Sequence, residues 1–202
     1  MDNEIVSVID DDDDVRKALQ LLLQSVGLNV NTFSSAQEYL DQFDVKQPGC
    51  LIVDVRMPGM SGLELQQQLS QEKIHPPIII VTGHGDIAMA VKAVQAGAVD
   101  FIEKPFNNQN MLDVVHRAIE VDSQNRGVAS TQIEVEEKYQ SLTPREKEVM
   151  KKVVEGLRNK VIALELNVTQ STVEAHRAKV MEKMKADSLS NLMRMAIALE
   201  II

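Results

Sequence analysis

Short apolar runs alternate with stretches of helical spacing through the first 120 residues, and beyond residue 140 only the helical spacing continues. Five runs predict strands, at 5–9, 28–33, 50–53, 78–81 and 101–103. Between them Val15, Leu19, Leu22 and Leu23 recur near helical spacing, and similar patterns predict helices from 36 onward, at 62–72, at 87–96 and at 109–121. Ser35 with Glu38, and Ser61 with Glu64, have the spacing in which a hydroxyl and a carboxylate satisfy the free N–H groups of a first helical turn. The runs 51–53 and 78–81 lack polar alternation, the mark of strands covered on both faces. Strands that alternate with helices pair in parallel, because a parallel crossover needs a connecting helix. Residues 1–122 are therefore expected to form an α/β domain: an open, doubly wound, five-stranded parallel sheet.

Residues 123–140 are polar and poorly periodic, and they predict a linker with a helical stretch near 133–139. Residues 141–202 predict an all-α domain of four helices. Thr143, Pro144 and Glu146 form a capping box with proline where its missing N–H costs nothing. That first helix ends at Gly156; a short one follows at 159–166, then a turn at 167–169, a third helix at 170–185 and a fourth at 189–200 behind Ser188.

Composition narrows the class. The chain has 202 residues, room for one or two domains at ~150 residues each. It is 44% hydrophobic, enough for cores that need no covalent staples. Cys50 is the only cysteine, which excludes an internal disulfide framework and reads as a small buried hydrophobe. The acidic start is unlike a signal peptide, and no apolar stretch approaches the ~18 residues of a spanning helix. A cytoplasmic protein without a membrane partner is expected. Charge is uneven: residues 1–122 hold 8 Lys and Arg against 19 Asp and Glu, whereas residues 141–202 hold 11 against 8. The first region repels nucleic acid and the last tolerates it.

The chemistry gathers at strand ends. Asp10 and Asp11 follow the first strand, Asp54 ends the third, Thr82 the fourth and Lys104 the fifth. Parallel strands bring these groups to one edge of the sheet, where open α/β folds bind ligands. Clustered carboxylates need a compensating cation, and oxygen donors without cysteine or histidine suit Mg²⁺. An aspartate can act as nucleophile toward phosphorus and form an acyl phosphate. Lys104 can pair with the new charge, and the Thr82 hydroxyl can bond a phosphoryl oxygen. Asp12, Asp13 and Asp14 read instead as a solvated turn that caps the helix near Val15. Gly83 and Gly85 do not make a dinucleotide fingerprint, and His75, His84 and His116 have no metal-site partner at useful spacing.

The stretches 8–12, 54–62, 81–85 and 101–106 resemble the receiver domain of two-component response regulators, most closely the FixJ type. The resemblance implies a flavodoxin-like fold, Asp54 as phosphoacceptor and a sensor histidine kinase as donor. It implies Asp11 and Asp54 as direct Mg²⁺ ligands, the Arg56 backbone carbonyl as a third, and Asp10 acting mainly through water. It makes Thr82 the switch hydroxyl, Lys104 the phosphate-pairing lysine and Phe101 the aromatic that follows the switch, and it implies a cis Lys104–Pro105 bond.

Helix, turn and helix around 159–185 suit a motif whose second helix enters the DNA major groove. That helix carries Ser171, Thr172, Glu174, His176, Arg177, Lys179 and Lys183, with Val173, Val180 and Met184 as its core stripe. Arg or Lys can bond guanine or phosphate, Glu174 can accept from cytosine and Thr172 can touch the backbone. A local pair between Arg177 and Glu174 is the bland alternative. The stretches 142–149, 159–163, 171–181 and 183–186 are similar to the LuxR-type helix-turn-helix, so the whole chain resembles the FixJ/NarL class. This adds Asn159 and Lys160 to the candidate DNA contacts. It implies a homodimer on phosphorylation, double-stranded promoter DNA and RNA polymerase as partners, and activation as the commoner output. It also places the DNA-bound dimer contact on the last helix, where Leu192, Met195, Ala196 and Leu199 make an apolar stripe that packing within the domain can equally claim. Two rivals remain: a phosphatase with an aspartate nucleophile, disfavoured because Asp54-Val-Arg56 offers no second acid, and a DNA-binding protein indifferent to phosphate, disfavoured by the intact Asp54, Thr82 and Lys104.

Overall fold

A computed structural model describes residues 4–72, 75–83 and 87–202. The first unit, Met1–Arg126, holds five parallel strands: β1 (Ile5–Ile9), β2 (Asn29–Phe33), β3 (Gly49–Asp54), β4 (Ile78–Thr82) and β5 (Asp100–Glu103). Their order in the sheet is β2-β1-β3-β4-β5, the doubly wound flavodoxin-like arrangement. The connecting helices are α1 (Asp13–Ser25), α2 (Ala36–Gln42), α3 (Gly62–Leu69) and α4 (Ile87–Gln95), and α5 (Asn108–Gln140) follows β5.

Alternation along each strand builds two cores. Val6, Val8, Cys50, Ile52, Ile79 and Val81 face one layer and meet Leu19 and Leu23 of α1 and Met111, Val114, Val115 and Ala118 of α5. Ile9, Leu51, Val53, Ile78 and Ile80 face the other and meet Tyr39 of α2, Leu65 and Leu69 of α3 and Ala93 of α4. β3 and β4 are buried along their whole length, as their unbroken apolar runs require. Cys50 lies inside this core, and burial pushes its thiol up to about 12, so it is inert at neutral pH.

Helix starts follow the chemistry of their first turns. Asp12 caps α1, accepting from Asp14 N–H at 2.9 Å and Val15 N–H at 3.4 Å, and Asp13 pairs with Arg16 at 3.0 Å and with Lys17. The acidic turn beyond Asp11 is thus occupied with its own helix. Ser61 and Glu64 complete a capping box on α3. On α2 the box stays half made: Ser35 accepts from Glu38 N–H, but the Glu38 carboxylate turns to the N–H and hydroxyl of Ser34.

The second unit, Gly127–Ile202, is all helical: the end of α5, then α6 (Pro144–Val154), α7 (Asn159–Glu165), α8 (Gln170–Met184) and α9 (Leu189–Ala198). Its core joins Val149, Met150 and Val153 of α6, Ile162 of α7, Val173, Val180 and Met184 of α8, and Leu192 and Ala196 of α9. The structure differs from expectation at 123–140. These residues are helical as the end of α5, and the boundary between units falls after Arg126. The helical period was hidden because residues 123–134 bury almost nothing, so no apolar face marks the turns. Val135 is buried in the second unit's core, and Tyr139 packs against it.

Candidate functional site

The strand order reverses between β1 and β3, so the crevice beyond their carboxyl ends is where a doubly wound sheet leaves room for a ligand. β1 ends into Asp10 and β3 ends at Asp54. Both side chains are buried, and Lys104, just past β5, reaches them both: Nζ lies 2.6 Å from Asp10 Oδ2 and 2.6 Å from Asp54 Oδ1. The second Asp54 oxygen accepts from the Arg56 N–H at 2.6 Å, and Asp10 Oδ1 accepts from the Asp12 N–H at 2.9 Å. The Lys104–Pro105 bond is cis.

Burial raises Asp10 above the ordinary carboxylate range, against the pull of its bond to Lys104. Burial also pulls on Lys104 in the direction of deprotonation, yet its bonds to Asp10 and Asp54 outweigh that and hold it above the usual lysine value. The ammonium therefore stays charged at any physiological pH. Two carboxylates and one ammonium leave a formal excess of negative charge at the crevice.

Thr82 is buried at the end of β4, and its carbonyl accepts from the Lys104 N–H at 2.7 Å, which ties the ends of β4 and β5 together. Phe101 is half-buried in β5 and packs against the α2–α4 layer. Asp11 is exposed beside Asp10 and is not drawn into the Lys104 cluster. Among the described residues no three acidic, histidine or cysteine side chains stand together as a metal cage. The two carboxylates gathered on one ammonium are nevertheless hard oxygen donors around a cation position, which is the donor chemistry Mg²⁺ takes. His84 and most of the loop after Thr82 lie outside the described residues.

In the second unit α7 and α8 are joined through Leu166–Thr169, with Asn167 in the left-handed region at φ 52°. Thr169 caps α8 by accepting from the Thr172 N–H at 3.2 Å. Ser171, Glu174 and Lys179 are exposed on α8, and Lys160 is exposed on α7. Thr172 is half-buried, its hydroxyl 2.8 Å from that of Thr169. Arg177 does not pair with Glu174: its Nη1 donates to Asn159 Oδ1 at 3.0 Å, while Glu174 accepts from Gln170 Nε2 at 2.9 Å. His176 is half-buried, and its Nδ1 is enclosed without a hydrogen-bond partner among the described residues, so that nitrogen is closed to DNA. Lys183 is held at 2.6 Å by Glu146, a buried carboxylate that also accepts from the Thr143 N–H at 2.8 Å. The sequence offered one signal for this pair that went unused: an acid in a capping box whose helix also needs a buried face.

The stripe on α9 belongs to the domain's own core. Leu192 and Ala196 are fully buried, and Met195 and Leu199 pack beside them. The large apolar side chains that α9 leaves exposed are Leu189, Met193 and Ile197.

Comparison with known proteins decides the family. Residues 6–116 match the response regulator receiver domain, and residues 140–196 match the bacterial regulatory proteins of the luxR family. This chain belongs to the response regulators. It is 46% identical over 190 residues to the response regulator protein TodT of Pseudomonas putida, covering 94% of this chain and 84% of that one. It is 43% identical over 198 residues to the transcriptional regulatory protein FixJ of Rhizobium meliloti, covering 98% and 97%. The solved structure of the response regulator StyR superposes with a TM-score of 0.86 at 42% identity, covering 96% of this chain and 98% of that one. The response regulator thus joins a receiver to a domain of the luxR family of regulatory proteins, and a relative named a transcriptional regulatory protein matches it over nearly its whole length.

Proposed function

We propose that this response regulator takes a phosphoryl group on Asp54 from a sensor histidine kinase and in that form pairs with a second copy and binds promoter DNA. The observation that carries the reading is the setting of Asp54. It is buried at the end of a central strand, with one oxygen on Lys104 and the other on a backbone N–H. A carboxylate oxygen attacks phosphorus, an O–P bond forms, the P–N bond to the kinase imidazole breaks, and the imidazole leaves with the electron pair. Asp10, Asp11 and Asp54, with the Arg56 carbonyl, would hold Mg²⁺. The ion, when bound, offsets charge on the carboxylates and phosphoryl oxygens.

The residues of the chain do the rest. Lys104 already spans Asp10 and Asp54, so it pairs with the added charge of about 1.5–2 units without a long search. The Thr82 hydroxyl donates to a phosphoryl oxygen, and because Thr82 is hydrogen-bonded to the end of β5, the strain passes to Phe101 two residues before that end. The face of α4 and β5 changes shape and supports the dimer. Phosphate shifts this equilibrium only by its preference for the active form. On DNA the two second units sit at half-sites ~34 Å apart, and Leu189, Met193 and Ile197 are the exposed apolar positions on α9 for pairing. The protein works in the cytoplasm, as an activator with RNA polymerase as a further partner on the promoter, and self-dephosphorylation is slow.

Intact-mass measurement after incubation with acetyl phosphate and Mg²⁺ tests the reading. The wild type acquires one labile phosphoryl group and shifts toward dimer, and Asp54→Asn does neither. Equal labelling of Asp54→Asn would show that another residue is the acceptor.

A further inference from the structure

Along α8 the exposed residues are Gln170, Ser171, Glu174, Ala175, Ala178, Lys179 and Glu182, while Val173, Val180 and Met184 are buried. Apart from Gln170 these exposed residues form one broad face opposite the buried stripe, with Glu174 and Lys179 at its two edges. This is the strip that a helix lays on the floor of a major groove. Its two edges carry opposite charge. Gln170 holds Glu174 Oε1 at 2.9 Å, which sets the carboxylate on the first turn and leaves Oε2 without a protein partner among the described residues. Ala175 and Ala178 offer only methyl groups. The strip's cation is Lys179, at the edge away from Glu174, while Arg177 is tied to Asn159 on α7 and Lys183 is tied to Glu146.

Building on the DNA-binding reading above, we infer that this regulator reads a cytosine through Glu174 and a neighbouring thymine methyl through Ala175 and Ala178, with no arginine–guanine contact. A carboxylate only accepts, and in the major groove cytosine presents an N4 amino donor. Adenine sets its N6 donor beside the N7 acceptor, and guanine shows two acceptors, so both meet the carboxylate with repulsion. Glu174 and Ala178 are one turn apart, about 6 Å along the helix axis, so their contacts fall within about two base steps of 3.4 Å. Lys179, two turns further on than the start of α8 and at the edge away from Glu174, is placed for phosphate. Arg177 is a positioning residue that fixes α8 against α7. The carboxylates of Glu174 and Glu182 on the groove-facing strip repel phosphates, so DNA lacking the matching donor is penalised.

The test selects binding sites from a randomised duplex library with the full-length protein treated with acetyl phosphate and Mg²⁺. All substituted side chains are exposed or half-buried, and thermal unfolding checks that each variant folds. Wild type selects half-sites with an invariant C·G pair. Glu174→Ala loses preference at that pair by about tenfold or more and binds scrambled DNA more tightly. Glu174→Gln shifts the pair toward A·T, because an amide matches adenine with two hydrogen bonds. Arg177→Ala weakens all sites alike and leaves the preferred sequence unchanged. Deoxyuridine in place of the neighbouring thymine weakens wild-type binding about fourfold, the cost of one unburied methyl group. Unchanged base preference in both Glu174 variants overturns the assignment, as does loss of a guanine preference in Arg177→Ala. A wild type that selects no sequence overturns the DNA-binding reading itself, whereas a selected site insensitive to Glu174 overturns only this one.

Discussion

Single side chains in this protein are set by which charges they share. Lys104 touches Asp10 and Asp54 at the same distance, so removing it leaves two buried acids facing each other. In the second unit Glu146 has the opposite balance. The Lys183 ammonium, followed by the Thr143 N–H, holds its carboxyl down at about 2. A depressed acid contributes stability above its ordinary value near 4.5 and loses it as pH falls toward about 2. The second unit is therefore expected to lose stability through that window, read by circular dichroism at fixed urea. Glu146→Gln should flatten the window and cost about 1–2 kcal/mol at neutral pH, since the neutral amide keeps the cap but not the charged partner. An unaltered acid profile in Glu146→Gln would assign the loss to other carboxylates.

Elements meet through a few close approaches. Gly49 opens β3 at φ 141°, and a Cβ there would lie 1.9 Å from the Ile5 carbonyl oxygen on β1. Gly49→Ala must push two central strands apart, at a cost of at least ~3 kcal/mol; a urea midpoint equal to wild type would refute that. The Gly49 N–H also donates to the buried Asp122 of α5 at 2.9 Å. Arg126 closes the arrangement, with Nε on Asp122 at 2.7 Å and its two Nη groups on the Val45 and Gln47 carbonyls, each at 2.7 Å. Arg126→Met leaves a buried carboxylate without its cation and is expected to cost about 3 kcal/mol. Hydrogen exchange should quicken at 45–49 and around Asp122, and exchange confined to other segments would count against this clamp.

At the scale of the whole molecule, two separately cored units share one long helix. Each has the apolar interior of an independent domain, so residues 1–126 and 127–202 are each expected to fold alone. A second unit cut at 141 loses Val135 and Tyr139 from its core. It should be less stable than 127–202 by about 2–3 kcal/mol, the burial of a valine and part of a tyrosine. Equal urea midpoints for the two fragments would remove the end of α5 from that core. Charge is uneven between the units: the first holds 9 Lys and Arg against 19 Asp and Glu and the second 12 against 11, so the second repels DNA far less.

Local pattern in the sequence was enough for nearly every element, for the parallel sheet and for the strand ends that bear Asp10, Asp54, Thr82 and Lys104. Those features are local or nearly so: a period of two or 3.6, a cap, and an apolar run with an acid at its end. Which partner each charged group takes came only with folding. Lys104 chose Asp10 and Asp54 while Asp11 stayed exposed, Arg177 chose Asn159 over Glu174, and Lys183 chose Glu146. Folding also turned the α9 stripe inward and carried α5 through residues that show no apolar face. The reason is physical. Periodicity is written along one segment, whereas a side chain several bonds long chooses among neighbours brought close by folding, and burial sets how strongly each choice counts.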